Sequence, residues 1–162
     1  MSMMSASRPW VDLDVHVDAP VHAVFEYCRD PRNIHDGDPV EVVDVELTDD
    51  GVGTTAHLDY PAPFPLEEDV DYTVTESLAD QRLVYEARSS IWLRGHHRPH
   101  HDLPLDVFVW TFAPEDDGTR LRVEVHVEDP TLGSRLAHAS FRDVVAARLD
   151  RIAEHFGGAA SS

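Results

Sequence analysis

The order of its segments is what most constrains this chain. Trp10-Val-Asp-Leu-Asp-Val-His-Val17 alternates apolar and polar residues, the period of a half-buried strand. It runs straight into Val21, Val24, Phe25 and Cys28, which fall at i, i+3, i+4 and i+7, one face of a short helix. More alternating segments follow, and a helical repeat from Leu132 to Phe156 closes the chain. A single curved sheet cannot bury its concave face by itself. A long helix laid across it can, and the space between them tends to become a ligand cavity. The expected fold is therefore α+β. An antiparallel sheet of about seven strands curves around a long C-terminal helix, with one or two short helices after the first strand.

Local signals set the boundaries. Asp18 is a candidate N-cap for the first helix, Pro20 suits its first turn, and Asp30-Pro31 stops it. Val40 to Thr48 and Val52 to Tyr60 flank Asp49-Asp50-Gly51, a hairpin signal. Pro61, Pro63 and Pro65 interrupt pairing, so a loop or sheet rim is expected there. Asp69 to Glu76, Arg82 to Arg88, Pro104 to Phe112 and Thr119 to Glu128 read as strands, and Ser89 to Leu103 as irregular. Asp129 and Pro130 are expected to start the final helix. Phe141, Val145, Leu149, Ile152 and Phe156 form its apolar stripe, opposite Arg142, Asp143, Asp150, Arg151 and Glu154. At 1.5 Å per residue, this helix is on the order of 35–40 Å long, enough to span the sheet. Residues 1–9 read as a disordered lead-in, 10–156 as one domain and 157–162 as a tail.

Composition narrows the function classes. The single cysteine, Cys28, excludes an intrachain disulfide and with it a disulfide-rich secreted scaffold. The first ten residues carry no signal-peptide pattern, and no stretch approaches the ~20 apolar residues of a membrane span, so a cytoplasmic protein without membrane insertion is expected. The net charge is -18, and all 13 basic residues are arginine. Such a surface repels phosphate backbones and anionic lipid, so neither nucleic acid nor membrane is an expected partner. The acidity fits adaptation to high salt or the codon bias of a GC-rich genome.

Val17-Asp-Ala-Pro-Val-His-Ala-Val-Phe-Glu-Tyr27 followed by Asp30-Pro31-Arg32-Asn33 resembles the opening helix of the SRPBCC, START-like or birch-pollen-allergen-like superfamily. Gly51-Val52-Gly53-Thr54, Val74-Thr75-Glu76, Arg82-Leu83-Val84-Tyr85 and Thr111-Phe112-Ala113-Pro114 through Gly118-Thr119-Arg120-Leu121 extend the resemblance over about residues 10 to 156. The resemblance implies the helix-grip fold and a cavity for hydrophobic small molecules. Members include lipid and sterol carriers, polyketide cyclase/dehydratases, quinone-binding chaperones, hormone receptors and co-chaperones. No cofactor is expected, and the chain is expected to be a monomer or homodimer. Three functions follow as expectations. The first is binding of a polyketide, lipid or quinone-like ligand. The second is cofactor-independent cyclisation or dehydration of a polyketide, and the third a co-chaperone-like interaction module.

Tyr60, Tyr72, Tyr85, Trp92, Trp110, Phe112, Phe141 and Val145 are the candidates for the cavity wall; each also fits plain core packing. Arg88 is the candidate catalytic residue. The resemblance implies that an arginine near this place polarises a polyketide oxygen, as a guanidinium that stays charged at any working pH. Two strand registers are open. Either Leu83, Tyr85 and Ala87 face inward and Arg88 outward, or Val84, Glu86 and Arg88 face inward. His96, His97, His100 and His101 are rich in metal-ligating nitrogen. Adjacent histidines do not easily share one ion and Pro99 excludes a regular helix, so no metal is expected and a solvated loop over the cavity mouth is the reading. Cys28, on the apolar face of the first helix, reads as an inert buried thiol.

Overall fold

The structure is a computed structural model that describes residues 8–60, 65–93, 101–102, 105–128 and 138–157. Strand β1 (Val11–Val17) leads into α1 (Val21–Cys28) and α2 (Pro31–Ile34). Strands β2 (Glu41–Glu46), β3 (Thr55–Tyr60), β4 (Leu66–Leu78), β5 (Arg82–Leu93), β6 (His101–Asp102), β7 (Asp106–Glu115) and β8 (Gly118–Val127) follow, and α3 (His138–Gly157) comes last. Seven strands form one antiparallel sheet in the order β1-β8-β7-β5-β4-β3-β2, with β6 pairing on β5. The curved sheet and its closing helix make the expected helix-grip architecture. The described part of α3 starts at His138, and the expected start at Asp129 and Pro130 lies outside the described residues.

Period-2 alternation sorts the faces. Leu83, Tyr85 and Ala87 of β5, Phe108, Trp110 and Phe112 of β7, and Leu121, Val123 and Val125 of β8 are all buried. Val145, Leu149 and Ile152 of α3 complete the core with Val24, Phe25 and Cys28 of α1. The outer face carries the charge. Arg122 forks onto Asp12 at 2.8 and 2.7 Å, and Arg120 pairs with Asp14 and Glu115 at 2.9 and 2.8 Å. These exposed pairs are worth little individually. They do show an acidic surface placing scarce arginines across strand pairs.

Two local expectations are corrected. Pro20, not Asp18, occupies the N-cap of α1, with φ -60 and ψ 149, and the Asp18 carboxylate instead meets His16 at 3.0 Å. The segment after Arg88 is not irregular from Ser89. β5 runs on to Leu93, and Ser90 and Ile91 pair with Asp102 and His101. Pairing with β4 overrides the weak strand propensity of Ser89 and Ser90, and Ser90 is paired by β6 as well. Asn33–Asp38, which by sequence reads as a turn or a single helical turn, follows on from the short α2, whose start is capped by Asp30 accepting from the Arg32 backbone N–H at 3.0 Å.

Candidate functional site

On α3 the apolar stripe of Val145, Leu149 and Ile152 includes a charged residue. Arg148 lies three residues after Val145 and four before Ile152, so helical geometry places it on the same buried face. It is 3% exposed. Its Nε and Nη2 both donate to Asp38 Oδ2 at 3.0 Å. His35 Nδ1 donates to the same oxygen at 3.0 Å, and Arg151 pairs with Asp38 Oδ1. The turn after α2 thus supplies a carboxylate and an imidazole to two guanidiniums 110 and 113 residues away.

Protonation follows from this geometry. A carboxylate only accepts, so His35 Nδ1 carries the proton it donates. Burial pushes the His35 pKa down, and the nearby Arg148 adds to that, against the pull of Asp38. The ring is therefore neutral, with its lone pair at Nε2. Burial alone would push the Asp38 carboxyl up, but His35, Arg148 and Arg151 outweigh it and hold the group below the usual range. A histidine whose folded pKa lies below its unfolded value gives stability that is complete above the unfolded pKa and is lost as pH falls below it. The stability gap between wild type and His35→Gln is therefore expected to narrow from about pH 7.5 to about pH 5.5. Urea unfolding at each pH measures it, and taking the gap cancels the surface histidines His16, His22 and His57, whose pKa values are raised by acidic partners. A gap that is constant or widens in acid would contradict a neutral, buried His35.

Above this cluster the sheet presents aromatic rings. Tyr72 meets His35 at 6.1 Å edge-on, Tyr85 at 3.9 Å, and Tyr85 stacks on Phe108 at 4.7 Å. Phe108 meets Phe141 at 6.1 Å, and Phe141 meets Trp10 at 5.7 Å. The result is a column of rings from α2 to the start of β1. Several polar atoms along it are buried and have no hydrogen-bond partner among the described residues: Tyr72 Oη, Tyr85 Oη, Trp110 Nε1, His35 Nε2 and Arg148 Nη1. Buried polar groups are normally satisfied. Burial pushes both phenols up, against the opposing pull of Arg148, so both keep their protons. The same inward face carries carboxyls closer to the sheet rim. Asp106 stands opposite Ala87, which pairs with Tyr72, and Glu68 stands opposite Tyr60. Burial and the neighbouring Glu68 push Asp106 up to about 6.

A cleft of about 370 Å³ lies beside the cluster, lined by residues that include Tyr27, Asn33, Gly37, Arg151 and His155. Arg151 belongs to both places. It bounds the cleft, donates to the Asp36 carbonyl at 3.0 Å and pairs with Asp38. Tyr27 and His155 stack at 4.2 Å in the same cleft.

The candidates named from sequence fall into three groups. Tyr72, Tyr85, Trp110, Phe112 and Val145 are buried on the inner side, and Tyr60 and Phe141 are partly buried against it. Trp92 lies on β5, but its side chain is outside the described residues, as are His96, His97 and His100; His101 is placed only as a β6 residue opposite Ile91. Arg88 is a correction. Tyr85 and Ala87 are buried and Arg88 is exposed, so the register with Arg88 outward is adopted and its guanidinium is turned away from the concave face. Cys28 is fully buried, and burial pushes its thiol up, which leaves it unreactive. Sequence reasoning passed over His35, Asp38 and Arg148. One signal was present: the period that picked out Val145, Leu149 and Ile152 also contains Arg148, and a charge in an apolar stripe marks a site. For a metal, His57, Asp59 and Asp69 on the outer face bring three ligand atoms within 4.8 Å of one another.

The profile of a family described as polyketide cyclase / dehydrase and lipid transport matches residues 9–157. No curated protein matches the chain. Among solved structures, a protein from Arthrobacter aurescens aligns with a TM-score of 0.69 at 16% identity, over 98% of this chain and 94% of that one. Protein Ms6760 from Mycobacterium smegmatis aligns with a TM-score of 0.66 at 17% identity, over 91% and 90%. DynU16, a protein in the dynemicin biosynthetic locus, aligns with a TM-score of 0.61 at 20% identity, over 94% of this chain but 48% of DynU16. Identities this low establish the shared fold. No described helix is long and apolar enough to cross a membrane.

Proposed function

Because the chain belongs to the polyketide cyclase/dehydrase and lipid transport family, of the SRPBCC type, we propose that it binds a hydrophobic or aromatic small molecule of polyketide, lipid or quinone type between its sheet and α3. One observation carries this reading. One nitrogen each of Arg148 and His35, two phenol oxygens and an indole nitrogen, all buried in an aromatic interior, have no hydrogen-bond partner among the described residues. That is the make-up of a small-molecule site, mostly apolar with a few convergent polar groups.

Native mass spectrometry of the purified protein tests it, before and after incubation with aromatic polyketide-like compounds. One ligand per chain is expected. A spectrum of bare protein under every condition would count against the reading. A paired mutation sharpens it. Tyr85→Phe removes a buried hydroxyl that donates no hydrogen bond among the described residues and lies beside the Trp110 indole N–H. The ligand-free variant is therefore expected to match or exceed wild-type stability, by up to about 1 kcal/mol, and to bind ligand more weakly. A clear loss of stability would mean that Tyr85 Oη serves the fold rather than a ligand.

A second reading, a cofactor-independent cyclase or dehydratase, draws on the carboxyls. Asp38 is held below the usual range and Asp106 is pushed up to about 6. Carboxyls driven apart by their surroundings are how one site holds an acid and a base near neutral pH. In that reading Asp106 carries the proton, and Arg148 rather than Arg88 stabilises negative charge on the ligand oxygen.

A further inference from the structure

Resting on the ligand-binding reading above, we infer that the deep end of this site selects an anionic oxygen, so that the ligand is an aromatic acid, a carboxylate or an ionised enol, rather than a neutral lipid or quinone. The charge count of the buried cluster carries the inference. Arg148 and Arg151 contribute two positive charges, Asp38 one negative charge, and His35 is neutral. Both oxygens of Asp38 are already engaged. Oδ2 receives His35 and two nitrogens of Arg148, and Oδ1 receives Arg151. Asp38 thus shares one negative charge between the buried Arg148 and Arg151, whose side chain is 31% exposed and screened by solvent. Arg148 Nη1 is buried and has no partner among the described residues. A buried charge left uncompensated is strongly unfavourable, and an anionic ligand atom relieves it.

The neighbouring groups point the same way. Tyr72 Oη and Tyr85 Oη are buried, and each has a proton that it donates to nothing among the described residues; the Trp110 indole N–H lies against the Tyr85 oxygen. With Arg148 Nη1 they form an excess of donors, which calls for a ligand rich in acceptor oxygen. The rings of Tyr72, Tyr85 and Phe108, stacked on one another, form an aromatic wall that suits a flat, aromatic body. The rest of the molecule works against anions, since its net charge is -18. Selectivity for an anion must therefore come from this cluster at contact distance.

Isothermal titration calorimetry with 2-naphthoate and 2-naphthamide isolates charge from shape, since the two share ring system and size. Wild type is expected to bind the carboxylate about tenfold or more tightly than the amide. Arg148→Met is expected to remove most of that preference. The Tyr72→Phe/Tyr85→Phe double variant, which keeps both rings and the ion cluster, is expected to weaken 2-naphthoate and leave 2-naphthamide nearly unchanged. Equal affinity of wild type for the two probes would overturn the anion inference while leaving the ligand-binding reading standing. Binding of neither probe would overturn both. A preference undiminished in the tyrosine double variant would overturn the assignment of the donors, whether or not Arg148→Met folds.

Discussion

Asp38→Ala is expected to cost about 3–5 kcal/mol of folding stability, the range seen when one partner of a buried ion pair is removed. The carboxylate takes Arg148, Arg151 and His35 at once. Without it, Arg148 keeps its charge, is 3% exposed, and has no anion to face. Arginine does not escape by losing its proton, so the desolvation cost remains in full. Arg148→Met should cost clearly less, because Asp38 keeps Arg151 and His35 and the thioether suits the apolar stripe around it. Urea denaturation of the three proteins reads this as a lower midpoint at unchanged slope. A loss below about 1.5 kcal/mol for Asp38→Ala, or a larger loss for Arg148→Met, would show that water reaches the cluster and that the charges are not buried as described. The same result would remove the basis for anion selectivity.

Gly37→Ala is expected to be the next most damaging change, at about 2–3 kcal/mol, because two costs add. Gly37 has φ +89, a backbone conformation that a Cβ disfavours. A Cβ there would also sit 2.7 Å from Arg151 Cδ and 2.9 Å from its Nε. The arginine would have to move, although its Nε bonds the Asp36 carbonyl and its terminal nitrogen holds Asp38. Gly37→Asn separates the two effects. Asparagine tolerates positive φ, so it relieves the backbone cost but not the collision. If Gly37→Asn recovers full stability, backbone strain alone explains the loss. If it recovers about half, displacement of Arg151 carries the rest. Thermal unfolding of both variants distinguishes the two cases, and ligand affinity of Gly37→Asn reports whether Arg151 supports the site.

Most of the fold was legible because burial imposes a period. The alternation in β8, with Leu121, Val123 and Val125 on one side, reads directly as a strand with one buried face. The order of strand, short helices, antiparallel strands and closing helix then leaves few arrangements that bury all the apolar faces. Legibility failed where pairing overrode composition. Ser89 and Ser90 do not look like strand residues, yet β5 runs through them because β4 lies alongside. It failed at Arg88 for a different reason. The two registers differ by one residue, and Val84 is nearly as apolar as its neighbours, so the sequence contains both patterns. The buried ring at Tyr85 shows which was taken.

By itself, then, the sequence determined the class of the fold, the inward set of Tyr72, Trp110 and Phe112, and the absence of any intrachain disulfide, since each depends on local period or simple counting. The tertiary structure decided the chemistry. Asp38, read as part of a turn, meets Arg148 across 110 residues, and no local pattern links them. Charge placement in a core depends on which distant elements close on each other. Here the closing helix lands its one buried guanidinium on the turn after α2, and that contact puts a buried charge beside Tyr72 and Tyr85.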